Sequence, residues 1–277
     1  IDAAAGTLLW KTRVDSHAGA RITGAPTLAD GRLYVAASST EEGLAANPQY
    51  PCCSFRGSLS ALDAVTGAVI WKSYTIPEEP KPVRKNKAGV QLSGPSGAAI
   101  WSAPTVDVQG GKVFVTTGDS YSDPVAATSD AFVAFEVKSG ELLWSRQTTA
   151  GDAFTVDCDF PEPMRGNCPL ANGPDHDFGS SAVLVKLGNG GRALIAGQKS
   201  GLVHAIDPDR EGAILWQRRV GEGGRLGGIQ WGIAADEDKV YVALSDVKIG
   251  PVPAANDGGR PSVFGIPLLL DSKAGGG

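Results

Sequence analysis

IDAAAGTLLW at residues 1–10, LDAVTGAVIW at 62–71, FEVKSGELLW at 135–144 and IDPDREGAILW at 206–216 are four versions of one phrase. In each, an acidic residue (Asp2, Asp63, Glu136, Asp207) closes an apolar run. A glycine (Gly6, Gly67, Gly140, Gly212) follows, and a tryptophan (Trp10, Trp71, Trp144, Trp216) stands four residues after it. That order reads as strand, tight turn, strand: glycine supplies a positive-φ turn position, and the indole buries a large flat face on the returning strand. The tryptophans are 61, 73 and 72 residues apart, a spacing that marks a structural repeat.

Between the phrases lie two further apolar runs per unit: APTLAD with RLYVAAS, APTVDV with KVFVTTG, AVLVKL with ALIAG, and GIAAD with KVYVALS. Each unit therefore holds four strands in an antiparallel meander, without a helical period. Such units bury their apolar faces by packing as blades around an axis, so the expected fold is an all-β propeller of four-stranded blades. Residues 1–14 read as the end of a blade, 15–75, 101–147 and 180–220 as complete blades with intervening loops, and 229–277 as the start of a further one. After Ser245 the chain offers at most one and a half strands, and its ending, LLLDSKAGGG, carries no repeat phrase. A closed small ring or about half of an eight-bladed propeller fits this count. The half-propeller is preferred, because open strand edges are avoided in complete domains.

Composition narrows the function. A 277-residue chain with 42% hydrophobic residues can bury a large core, and its 37 glycines and 18 prolines lack collagen periodicity. The 25 basic and 30 acidic residues leave no electrostatic footprint for nucleic acid. No apolar run approaches the roughly 20 residues that span a bilayer, and the opening at Ile1 reads as a trimmed end. Cys52, Cys53, Cys158 and Cys168 show neither CxxC nor CxxCH spacing, so an oxidising compartment, periplasmic or secreted, is expected.

From Tyr50 to Ser245 the strings CCSFRGSLSALDAVTG, GPSGAAIWSAPTVD, VTTGDSYSDP, TTAGDAF, GPDHDFG and AGQKSGLVHAIDPD occur in order. In these strings the chain resembles the polyvinyl-alcohol dehydrogenases, among the quinoprotein alcohol dehydrogenases. Those are periplasmic eight-bladed propellers that hold pyrroloquinoline quinone (PQQ) and calcium and pass electrons to a cytochrome c. The resemblance implies oxidation of an alcohol, such as a polyol polymer. The repeat alone is also found in non-enzymatic propellers, so the competing expectation is a scaffold that binds a protein or polymer.

The resemblance also assigns residues. Trp101 opens an inner strand eighteen residues before Asp119, as the family spaces its PQQ-stacking Trp and a calcium-ligating Asn. The other inner strands open with Thr23, Gly179 and Gln230, so the blade pattern does not demand Trp there. Asp119 is a carboxylate in place of that Asn and suits a hard cation. The Glu that the family places four residues before an Arg-Gly pair is here Cys52, which leaves one calcium carboxylate unaccounted for. Asp152 in TAGDAF stands where the family carries its base, with Asp175 and Asp177 of DHDF as rivals. Each is otherwise an ordinary turn residue. Lys199 in GQKSG matches a cation near the quinone oxygens, or is a polar turn; Arg56 meets a PQQ carboxylate, or merely starts a strand.

Cys52 and Cys53 follow the long insertion STEEGLAANPQYP. A strained disulfide ring between neighbours would cover a PQQ face beside Asp119, or clamp its loop; free or cross-paired thiols are the third reading. Cys158 and Cys168, ten residues apart, most simply staple their own loop. His17, His176 and His204 show no metal-ligand spacing.

Overall fold

The computed structural model describes residues 1–246 and the strand Pro267–Asp271, and divides into two compact units, residues 1–174 and 175–277. In the first unit, Thr27–Ala29, Arg32–Ser39, Ser58–Asp63 and Val69–Tyr74 form one antiparallel meander, with the short Ala20–Arg21 pairing the far end of Arg32–Ser39. Thr105–Asp107, Lys112–Thr116, Ala131–Glu136 and Leu142–Gln147 form a second. The second unit repeats the pattern with Val183–Lys186, Arg192–Gly197, Leu202–Asp207 and Ala213–Arg219. It adds a sheet of Ile233–Ala235, Lys239–Ala243 and Pro267–Asp271. The first three are the four-stranded blades that the repeat predicts, and the last shows three strands among the described residues.

The tryptophans share one register. Trp71 lies opposite Ala61, Trp144 opposite Ala134 and Trp216 opposite Ala205, and each ladder shifts directly after that alanine, skipping Ile70, Leu143 or Leu215. The bulge re-aims the tryptophan strand, and the small alanine leaves room for the indole. Trp71 then lies on Gly140 of the following blade, its Nε1 donating to Val137 O at 3.2 Å, while Ser73 Oγ donates to Gly140 O at 2.5 Å. Trp10 lies on Gly67 in the same way, and Thr12, two residues on as Ser73 is from Trp71, donates to Gly67 O at 2.6 Å.

Between the two blades of the first unit, Tyr34, Leu59, Ala61 and Trp71 pack against Ile100, Val113, Val115, Val133 and Phe135. In the second unit Ile195, Val203 and Ala205 meet Ile229, Val240 and Val242. A Cβ at Gly140, where φ is +76°, would lie 2.5 Å from the Trp71 ring. Gly140→Ala should therefore cost about 1–3 kcal/mol through overpacking and backbone strain. An unchanged denaturant midpoint would contradict the docking contact.

Residues 1–14 carry the phrase without a strand among the described residues. The turn forms, with Asp2 Oδ1 accepting from the Ala4 and Ala5 amides and Asp2 N donating to Thr7 O, but neither arm carries a ladder. A strand exists only through its neighbours' hydrogen bonds, and among the described residues none forms a ladder with these. Of the expected blade at 229–277, residues 247–266 and 272–277 lie outside the described residues. The repeat did not anticipate the helix Glu41–Leu44, the hairpin of Lys81–Lys85 with Gln91–Gly94, or the 3-10 turns Val156–Asp159 and Glu162–Met164. Among the described residues no helix is long and apolar enough to cross a membrane.

Candidate functional site

In the first unit a belt of single β-bridges joins Arg56 to Gly97, Gly97 to Ser120, Ser120 to Ala153 and Ala153 to Asn172. The belt needs a glycine at 97: its φ is +100°, and a Cβ would lie 2.5 Å from Tyr121 N and 2.6 Å from Asp119 O. It places Arg56, Asp119 and Asp152 along one line. Asp119 is buried, and its carbonyl accepts Ala98 N at 2.7 Å. Asp152 is also buried, its carboxylate packed directly against Gly173. Trp101 follows the Ala99 carbonyl that accepts Gly118 N at 2.9 Å, and its indole is half-buried. Arg56 sits 3.9 Å over the Tyr74 ring and donates to Ile76 O and Pro77 O. It lines a cleft of about 310 Å³ with His17, Ser54 and Tyr74.

Cys52 and Cys53 are joined to each other, as are Cys158 and Cys168. The vicinal pair is 2% and 0% exposed and packs on Phe55, Leu92, Ala99 and Tyr121, two residues from Asp119. It is also pinned by Cys53 N donating to Ser93 O and Ser93 N to Cys52 O. The second disulfide closes a loop in which Asp157 Oδ2 accepts the amides of Gly166, Asn167 and Cys168 at 2.8–2.9 Å. Asn167 Nδ2 then donates to Ala45 O and Asn47 O, so this loop braces the segment leading into Cys52.

Sequence reasoning missed Glu41. Its fully buried carboxylate accepts Phe55 N at 2.7 Å, Ser54 N at 2.9 Å and Tyr50 OH at 2.9 Å, with His17 Nε2 at 3.5 Å. These donors fix both sides of the vicinal disulfide. Hydrogen bonding to Glu41 raises the His17 pKa. Burial alone would raise the Glu41 pKa, but His17 and the Phe55 and Ser54 amides outweigh it and hold the carboxyl below 4.5. Because the folded pKa is depressed, this contribution to stability is present above about pH 4.5 and lost as the pH falls through the folded value. Glu41→Gln turns an amide N–H₂ towards existing donors and should cost about 1–3 kcal/mol at pH 7. Denaturant midpoints from pH 3 to 7 should then lose part of their acid limb, and parallel curves would contradict it.

In the second unit, Lys199 Nζ lies 2.7 Å from Asp175 Oδ1 and 2.9 Å from Asp177 Oδ2, with all three side chains buried. Burial alone would lower the Lys199 pKa, but Asp177 and Asp175 outweigh it and hold the ammonium above its ordinary range. Lys199 N also donates to Asp177 O at 2.9 Å. Three residues chosen separately from the sequence thus form one ion cluster.

A family model for PQQ proteins, the glucose/ethanol/alcohol dehydrogenase β-propeller domain, matches residues 5–164. This chain belongs to that dehydrogenase β-propeller family. A polyvinylalcohol dehydrogenase of Pseudomonas sp is 44% identical over 266 residues, covering 96% of this chain and 40% of the relative. Another, from Sphingopyxis sp. (strain 113P3), is 41% identical, covering 99% and 41%. The family propeller described here thus spans about two fifths of these curated relatives. The solved quinohemoprotein alcohol dehydrogenase ADHIIG of Pseudomonas putida HK5 superposes with a TM-score of 0.64 at 17% identity, over 89% of this chain and 40% of that one, which shows the shared fold.

Proposed function

We propose that the protein carrying this chain oxidises alcohols, a secondary alcohol or hydroxylated polymer among them, with PQQ. The observation that carries the reading is the belt, which lines up the backbone at Arg56 with that beside the buried Asp119 and Asp152 in the first unit; Trp101, half-buried, precedes the same blade. The donor set fits the cofactor. In the first unit a flat indole suits a planar tricycle, Arg56 suits a carboxylate of it and the Asp119 carboxylate suits calcium, while the role of Lys199 near the quinone oxygens is what the resemblance implies.

When bound, PQQ supplies the two-electron oxidant and calcium polarises it. Trp101 would form the floor, and the buried Cys52–Cys53 disulfide, packed on Ala99 and Tyr121, would hold the loop near Asp119. Asp152, Asp175 and Asp177 are the carboxylates to accept the hydroxyl proton, the last two being paired with the Lys199 ammonium. The resemblance implies a cytochrome c as electron acceptor, and since no CxxCH occurs in these 277 residues its haem would be held outside them. Two disulfides support a periplasmic or secreted location. Full-length protein reconstituted with PQQ and calcium should reduce an artificial acceptor with a secondary alcohol; turnover that ignores PQQ overturns the reading.

A further inference from the structure

His204 lies in Leu202–Asp207 at the repeat position that holds Ser60 and Val133 in the two blades of the first unit, so the blade pattern does not call for an imidazole. It is buried, and both ring nitrogens are engaged: Nε2 lies 3.1 Å from Gln198 Oε1, and Gln217 Nε2 lies 2.8 Å from Nδ1. Those partners define the tautomer, since the Gln198 oxygen can only accept and the Gln217 amide can only donate. Nε2 carries the proton. Burial lowers the His204 pKa to about 4, so the ring is neutral at ordinary pH and this tautomer persists.

One contact of His204, Gln198, adjoins Lys199 in the chain. Gln198 precedes the lysine, and Ser200 follows it and donates Oγ to the same Gln198 Oε1 at 2.6 Å. Gln198 N and Leu202 O close the turn at 3.0 Å. On its edge the imidazole meets Phe178, with ring centroids 5.4 Å apart, and Phe178 directly follows Asp177. One neutral side chain therefore touches Gln198, which precedes Lys199, and Phe178, which follows Asp177.

We propose that His204 is a positioning residue that sets the direction of the Lys199 ammonium between Asp175 and Asp177 through Gln198, Ser200 and Phe178. The proposal rests on the PQQ reading only for its effect on cofactor affinity; its effect on Lys199 is independent. His204→Phe keeps a ring of similar size and removes both polar contacts. His204→Gln keeps one donor and one acceptor.

The test uses the full-length protein without cofactor and reads the acylation rate of Lys199 by peptide mass spectrometry, alongside PQQ affinity by fluorescence titration. His204→Phe should speed acylation of Lys199 about tenfold and weaken PQQ binding by a similar factor, and His204→Gln should recover most of both. A folded His204→Phe whose Lys199 reacts within twofold of the parent overturns the proposal. Should His204→Phe not fold, Gln217→Met, which removes the donor to Nδ1, takes its place: faster acylation supports the proposal, and an unchanged rate overturns it. The two readings fail separately. If Lys199→Ala leaves PQQ affinity unchanged, the cofactor role of Lys199 falls while the acylation result still judges His204.

Discussion

Replacing Lys199 by Met should destabilise the full-length protein by about 3–5 kcal/mol, the penalty for leaving one side of a buried ion pair without its partner. Asp175 and Asp177 are 4% and 5% exposed and share a single ammonium at 2.7 and 2.9 Å. Methionine matches the volume of the lysine stem, so the loss is electrostatic rather than a cavity effect. The triple variant Lys199→Met, Asp175→Asn, Asp177→Asn should recover much of the loss, because neutral amides carry no uncompensated charge. Denaturant midpoints of the two variants decide it. A single variant as stable as the parent would mean that solvent or another cation neutralises the carboxylates.

Trp101→Ala should weaken PQQ binding roughly 100-fold. One face of a Trp ring removes on the order of 100 Å² of apolar surface from water, worth roughly 2–3 kcal/mol. Trp101→Phe should fall between the two, since a smaller ring keeps part of the stack. Trp101 is half-buried and its carbonyl accepts Thr23 Oγ1 at 3.0 Å, so the backbone is held whatever the side chain. An equilibrium titration showing an alanine variant within threefold of the parent would remove Trp101 from the site.

The blades were legible because the repeat states them four times. The phrase fixes where each strand pair turns, and the Trp-opposite-Ala register follows from positions that recur in the text. The intra-loop disulfide was legible for the same local reason. The insertions were not: Asn167 reaches Ala45 and Asn47 across about 120 residues, and no local pattern encodes that. Glu41 was hidden inside a polar loop, because its donors are mostly backbone amides, which every sequence contains. Lys199 could be singled out by its motif, but its pairing with both Asp175 and Asp177 needed coordinates. His204 did have a signal, an imidazole where sibling blades use Ser60 and Val133, but a search for metal-ligand spacing passes over it.

The joint between blades in the first unit is directional. Trp10 engages the glycine of the next phrase, Gly67, and Trp71 engages Gly140, so the phrase at 62–71 offers a hook forwards and an eye backwards within a few residues. A duplicated or deleted blade carries one of each, and the series stays mateable at its new length. Blade number is therefore not written in any single joint: copying the gene segment can lengthen the series without a compensating change elsewhere.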